Sequence, residues 1–276
     1  MPGSLGIVAG SGALPGQLIA GCQAAGHEVF VVAIKGETEP ETVAGVAHLW
    51  LDIGAVGRAT AAFRKAGCET LCLIGGIERP ALAELKPDWQ GLKLLPRLAA
   101  AAAEGDDAML RVVVEHFEAV GFRIVGAEAL LADLGLPAGP LGCHRPDAAA
   151  ETDIEAGIRA IRALGPGTVA QAVVVRDGRV LAIEGADGTD AMLARCERRA
   201  DGKRAGVLVK WPKSEQERRV DLPTIGPETV AGALAAGLEG IAAAANGALV
   251  AERARSIDLA DEGGLFIVGI DAEPSP

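Results

Sequence analysis

Leu5-Gly6-Ile7-Val8-Ala9-Gly10-Ser11-Gly12-Ala13-Leu14-Pro15 sets a short apolar run against a glycine turn and then opens a helix. A run this short and this apolar predicts a buried strand. Gly10 and Gly12 let backbone approach a phosphate or ribose, and Pro15 suits a first helical turn. Two readings of the turn stand: a nucleotide site, and a tight bend that needs glycine for conformation alone. A dinucleotide fingerprint would place a third Gly where Pro15 stands, and no acidic residue closes the next strand at Ile34-Lys35.

The same rhythm repeats downstream. Apolar runs at Glu28 to Ile34 and Thr70 to Ile74 alternate with helical stretches at Leu14 to Ala25 and Ala55 to Ala66, which predicts a βαβαβ parallel sheet. A helical segment from Leu92 to Val120, interrupted near Gly105, and a strand at Phe122 to Val125 complete a Rossmann-like parallel-sheet domain over residues 1–132. Two more glycine turns follow apolar runs, at Ile53-Gly54-Ala55-Val56-Gly57-Arg58 and at Ile74-Gly75-Gly76-Ile77-Glu78-Arg79. Open parallel sheets bind ligands beyond the carboxyl ends of their strands, so the three turns are expected to converge. Arg58 and Arg79 would then meet an anion, or are solvated surface charges.

Leu134 to Pro146 reads LGLPAGPLGCHRP, too rich in Pro and Gly for a helix or a central strand, and residues 133–146 are expected to be a linker. Residues 147–276 read as a mixed α/β domain. It starts with a helix at Asp147 to Leu164 and a hairpin of Ala172 to Arg176 with Arg179 to Glu184 about Asp177-Gly178. Strands are expected at Gly206 to Lys210, Gly240 to Ala244, Leu249 to Val250 and Leu265 to Ile270. Helices are expected from Asp190, at Pro227 to Ala236 and at Val250 to Asp261. The whole chain is thus α/β, an N-terminal Rossmann-like domain followed by a C-terminal mixed domain.

A chain of 276 residues suits two domains, and its net charge of -11 argues against a nucleic-acid partner. A basic stretch from Arg195 to Lys213 is either a solvated face or an anion patch. The amino terminus resembles no export signal and no window is apolar enough to span a bilayer, so a cytoplasmic protein is expected. The five cysteines lack CxxC spacing and fit reduced thiols. His27, His48, His116 and His144 are scattered, no Cys/His set has zinc spacing, and GxSxG and P-loop patterns are missing.

Two features remain as candidate chemistry. Gly105-Asp106-Asp107-Ala108-Met109-Leu110-Arg111 echoes Gly188-Thr189-Asp190-Ala191-Met192-Leu193-Ala194-Arg195. Each places a polar residue at a helix start, where it either caps the helix or marks an anion site. Arg219-Val220-Asp221-Leu222-Pro223-Thr224-Ile225-Gly226-Pro227-Glu228-Thr229 concentrates a carboxylate, a rigid proline and a hydroxyl before a helix. Asp221 there either caps a turn or holds a divalent cation and orients water.

Taken in order, AGSGALP (9–15), GDDAMLR (105–111), GTDAMLAR (188–195), GVLVKWPKSEQERRVDLPTIG (206–226) and GLFIVGID (264–271) resemble the LpxI-type UDP-2,3-diacylglucosamine pyrophosphatase family over essentially the whole chain. The resemblance implies Mg-dependent hydrolysis of UDP-2,3-diacylglucosamine to UMP and 2,3-diacylglucosamine 1-phosphate, a step of lipid A synthesis. It implies an N-terminal UDP-binding domain, a C-terminal domain for the acylated sugar phosphate, a homodimer, and at most peripheral contact with the inner membrane. Asp221 would be the catalytic carboxylate and hold Mg2+. By that carry-over Gly10, Gly12, Leu14 and Pro15 would face uridine or ribose, and the glycine turn and helix start read above add Gly75, Gly76, Arg79, Asp106 and Asp107 as expected substrate-side residues. Thr189, Asp190, Lys210, Lys213, Gln216 and Thr224 would line the sugar phosphate. One departure is visible: Ser214-Glu215 follows Lys213 where the family pattern has Pro. An NADP-linked oxidoreductase, with Lys35 near a 2′-phosphate, and a non-catalytic carrier of a nucleotide-linked lipid are the competing classes.

Overall fold

β1 (Ser4–Ala9) runs through the glycine turn into α1 (Ala13–Ala24). Then come β2 (Val29–Ile34), β3 (Ala47–Leu51), α2 (Val56–Lys65), β4 (Cys68–Ile74), α3 (Trp89–Ala101), α4 (Asp106–Ala119), β5 (Arg123–Ile124) and α5 (Ala127–Leu130). This is a computed structural model, and it describes residues 4–78, 86–165, 170–213 and 216–271. The chain divides into two units, Met1–Ala132 with Glu217–Asp221, and Asp133–Gln216 with Leu222–Pro276.

The five strands of unit 1 form a wholly parallel sheet in the order β3-β2-β1-β4-β5. Strand order reverses at β1 and β4, and the crevice beyond their carboxyl ends is where doubly wound sheets take ligands. The sequence pattern does not announce β3, whose first residues are exposed and include His48. An edge strand has little to bury and so carries little hydrophobic signal. With aromatics at 3% of the chain, one cluster concentrates them. Fully buried Phe63 meets Phe30, Phe117 and Phe122 edge-on at 6.1, 6.3 and 6.1 Å, joining α2, β2 and α4.

Unit 2 contains β6 (Gly139–Leu141), α6 (Ala148–Ala163), β7 (Ala172–Arg176), β8 (Arg179–Ile183), α7 (Gly188–Ala194), β9 (Val207–Lys210), β10 (Thr224–Ile225), α8 (Pro227–Ala235), β11 (Gly240–Ala244), β12 (Leu249–Val250), α9 (Arg253–Gly263) and β13 (Phe266–Ile270). Its main sheet is mixed, in the order β6-β13-β11-β9-β7-β8, with β9, β11 and β13 parallel and the outer strands antiparallel. Alternate residues serve two cores. Val173, Val175, Val207 and Val209 pack under α6, while Ala172, Val174 and Leu208 pack with Met192 and Leu193 of α7 and Val230 of α8. Asp177 and Gly178, at φ 52° and 71°, make the tight β7–β8 turn that the dipeptide predicts.

Residues 133–146, read from sequence as a linker, group with unit 2. Leu136 is fully buried, its N–H donates to Ala248 O at 2.9 Å, and Arg253 Nε donates to Asp133 O at 2.9 Å. Pro140 sits in β6, a strand at the sheet edge, where a missing N–H is tolerated.

Replacing Phe63 by Ala empties the centre of the aromatic cluster. It is expected to destabilise unit 1 by about 3–5 kcal/mol in urea unfolding, with no comparable loss from truncating exposed Trp89.

Candidate functional site

The glycine turns after β1 and β4 meet at the switch point. Ser11 N–H donates to Gly76 O at 2.8 Å, Gly76 N–H returns a bond to Ser11 O at 3.1 Å, and Ser11 Oγ reaches Gly76 O at 3.0 Å. A Cβ on Gly10 would lie 2.2 Å from Gly76 O, so only glycine lets the two turns touch. Gly12, at φ 88°, precedes the first turn of α1 and its N–H donates to Glu39 Oε1 at 3.2 Å. A carboxylate therefore already occupies the positive end of α1, and an anionic ligand there has to displace it. The side chains of Leu14 and Pro15 are buried, which leaves main chain to face a ligand. Arg79 lies outside the described residues.

The third turn does not join the other two. Gly54 follows β3 at the far edge of the sheet, and the Arg58 N–H at the start of α2 donates to Asp88 Oδ2 at 2.7 Å. Asp88 Oδ1 also accepts from Gln90 and Gly91, capping α3. Burial raises the Asp88 carboxyl, but the N–H groups of Gly91, Arg58, Gly57 and Gln90 outweigh it and hold the group below the usual carboxylate range. The expected convergence of three turns is thus a pair, because an internal carboxylate satisfies the third.

The repeated Gly-Asp/Thr motifs begin α4 and α7, as their spacing predicts, but neither helix has a side-chain cap bond. Asp106 and Asp107 lie in the first turn of α4, where negative charge is favourable. Asp190 lies in the first turn of α7 and lines a groove of about 220 Å³ with Leu193, Cys196, Glu228 and Gly232.

Asp221 is half-buried and ends Glu217–Asp221, the segment that groups with unit 1. The N–H groups of Val220 and Asp221 both donate to Glu217 O at 3.0 Å, and Val220 packs on the Phe63 core. Arg219 binds Glu217 through Nε and Nη2 at 2.8 and 2.7 Å and reaches Glu118 of α4 at 2.6 Å. The paired guanidinium holds the Glu217 carboxyl below its ordinary range, so the segment stays anchored at neutral pH. Asp221 thereby ends a turn whose backbone is fixed.

The most developed polar cluster lies in unit 2, at the end of β9. Lys210 follows Leu208 on the face covered by α7 and α8 and is only 5% exposed. Its ammonium donates to Thr189 Oγ1 at 3.0 Å and Thr224 O at 2.8 Å. Thr189 Oγ1 in turn donates to Glu184 Oε1 at 2.5 Å, and Gln171 N–H donates to Glu184 Oε2 at 2.8 Å. A few residues along, Lys213 N–H donates to Gln216 Oε1 at 2.9 Å, and Gln216 Nε2 donates to Gln171 Oε1 at 3.1 Å. Five of the six residues expected on the sugar-phosphate side, Thr189, Lys210, Lys213, Gln216 and Thr224, are thus linked through Glu184 and Gln171. Sequence reading missed both linkers, whose only signal was a carboxylate and an amide at the ends of otherwise apolar strand runs. Ser214 and Glu215 lie outside the described residues.

Part of the basic stretch 195–213 is internally compensated. Arg195 pairs with Asp187, Arg199 with Asp177 and Asp201, and Arg204 donates to Gly263 O. Lys210 alone in it is a buried cation within the cluster just described.

Comparison with known proteins agrees in extent with this division. A family model described as the LpxI N-terminal domain matches residues 4–134, and one described as the LpxI C-terminal domain matches residues 137–268. The chain is also 41% identical over 278 aligned positions to the UDP-2,3-diacylglucosamine pyrophosphatase LpxI of Caulobacter vibrioides, covering 99% of each chain.

Gly10→Ala forces the β1 and β4 turns apart. The expected outcome is a loss of about 1–3 kcal/mol in urea unfolding together with weaker uridine nucleotide binding by calorimetry.

Proposed function

The chain belongs to the LpxI family, and from that membership we propose that it hydrolyses the pyrophosphate of UDP-2,3-diacylglucosamine to UMP and 2,3-diacylglucosamine 1-phosphate, in lipid A synthesis. The single observation that carries the reading beyond the match is buried Lys210, held by Thr189 and Thr224 O at the end of β9. Burying an ammonium is costly unless it is partnered, and a ligand phosphate suits such a position. Unit 1 takes the uridine part at the paired glycine turns, and unit 2 takes the acylated sugar phosphate.

In this reading water attacks the sugar-side phosphorus. A bond forms from the water oxygen to that phosphorus, and the bond from phosphorus to the bridging oxygen breaks. The bridging oxygen leaves on UMP, and Asp221 orients the water and relays its proton to solvent. Lys210 and Lys213 offset charge on the sugar-side phosphate oxygens, while Gln216 fixes the Lys213 main chain.

The donor chemistry at Asp221 fits Mg2+, which takes hard oxygens and is commonly held by one or two carboxylates with substrate phosphates and water completing the shell. Bound there, the cation would neutralise pyrophosphate charge. Peripheral contact with the inner face of the membrane and a homodimer belong to the same proposal. Exposed Trp89 and Leu92 on α3 support the first, and Val180, Leu181 and Ile183, exposed on edge strand β8, support the second.

Purified protein incubated with UDP-2,3-diacylglucosamine is expected to release UMP with Mg2+ and not with EDTA. Asp221→Ala is expected to lower turnover by about 10²-fold or more while substrate still binds. Release independent of both Mg2+ and Asp221 contradicts the mechanism, and tight binding without turnover in the unaltered chain indicates a carrier.

A further inference from the structure

Gly142, at φ 99°, turns the chain sharply after β6, and a Cβ there would lie 2.6 Å from Asp261 Oδ1. The turn brings Cys143 and His144 onto the carboxyl-terminal half of α9. Cys143 N–H donates to Asp261 Oδ1 at 2.8 Å, and His144 Nε2 lies 3.1 Å from Asp261 O. A carbonyl can only accept, so Nε2 carries the hydrogen, and in the neutral ring Nδ1 is the nitrogen with the lone pair. Arg145 Nη1 closes the loop onto Gly142 O at 2.8 Å and His144 O at 3.0 Å.

One donor atom each from Cys143, His144 and Asp261 lie within 4.8 Å of one another, and among the described residues this is the one group of three or more His, Cys, Asp and Glu so arranged. We propose that Cys143, His144 and Asp261 form a site for a zinc-class divalent cation, on residues the pyrophosphatase reading does not use. A thiolate, an imidazole and a carboxylate are the donor set of such ions, and three protein ligands leave a position for water. Magnesium, which seeks oxygen, is a poor match for it.

The outer contacts are those a metal site needs. The imidazole Nε2–H donates to a backbone carbonyl, which orients the ring, and the carboxylate is fixed through one oxygen by a backbone N–H. On binding a cation the thiol proton goes to solvent and a sulfur–metal bond forms in its place, with no change of oxidation state. Arg145 is the opposing charge, and its guanidinium is engaged with two carbonyls of the loop. Bound metal would pin β6 and its loop to α9. Cys143 is exposed, so exchange with solvent cations is expected to be fast.

The test titrates Co2+ into the metal-stripped full chain in excess Mg2+. The unaltered protein is expected to take a single equivalent, with thiolate-to-cobalt charge transfer and four-coordinate visible bands that Zn2+ abolishes. Cys143→Ser is expected to lose the charge-transfer band, and His144→Gln to weaken Zn2+ binding by about 10-fold or more in calorimetry. Asp221→Ala is expected to leave both signals unchanged, which separates this site from the catalytic reading. The proposal is overturned if cobalt shows no thiolate band, or if the Cys143→Ser and His144→Gln proteins, folded by circular dichroism, bind as the unaltered chain does.

Discussion

An ammonium inside a sheet core demands partners, and much of unit 2 follows from that demand at Lys210. Leaving such a charge unpaired would cost several kcal/mol. Three elements meet the need: α7 delivers Thr189, the strand entering α8 delivers Thr224 O, and the end of the β7–β8 hairpin delivers Glu184 one hydrogen bond further out. The β9 strand register places Lys210 beside Ala172 and Ala243, residues too small to crowd it. Small side chains in β11 therefore do more than allow close packing: they leave room for a buried lysine.

Unit 1 solves the opposite problem, keeping backbone N–H groups satisfied without ligand. Carboxylates of the protein itself stand where anions would bind. Glu39 takes the Gly12 N–H, Glu37 takes the Glu78 N–H, and Asp88 takes the start of α2. Exposed Glu39 can be displaced by a ligand, whereas Asp88 also caps α3 and is committed to the fold. That difference separates the two turns: one carboxylate bonds a single N–H at the surface, and the other is built into two helix starts.

The parallel sheet of unit 1, the β7–β8 hairpin and most helices were legible because period and turn chemistry agree over short distances. Edge strand β3 was not, since its exposed face erases the apolar signal, and neither were two-residue β10 and β12 as a separate pair. The prolines of 133–146 read correctly as barring a central strand, yet an edge strand and the Arg253 contacts bind that segment into unit 2. At the site, Thr189 was legible as a polar residue at a helix start and Thr224 as a loop hydroxyl, whereas Lys210 took a site role only through family resemblance, because a lone lysine after Val-Leu-Val carries no spacing signal. Cys143 and Asp261 are 118 residues apart, so their meeting is a property of the fold alone.

If Lys210 exists for ligand charge rather than for stability, it should be removable from the fold together with its carboxylate but not from the reaction. The decisive measurement is UMP release and sugar-phosphate binding by the Glu184→Gln/Lys210→Met double variant, alongside its urea unfolding. The account predicts stability near or above that of the unaltered chain, as replaced buried charges often give, with both binding and turnover lost. A folded double variant that binds and turns over substrate as the unaltered chain does would contradict it.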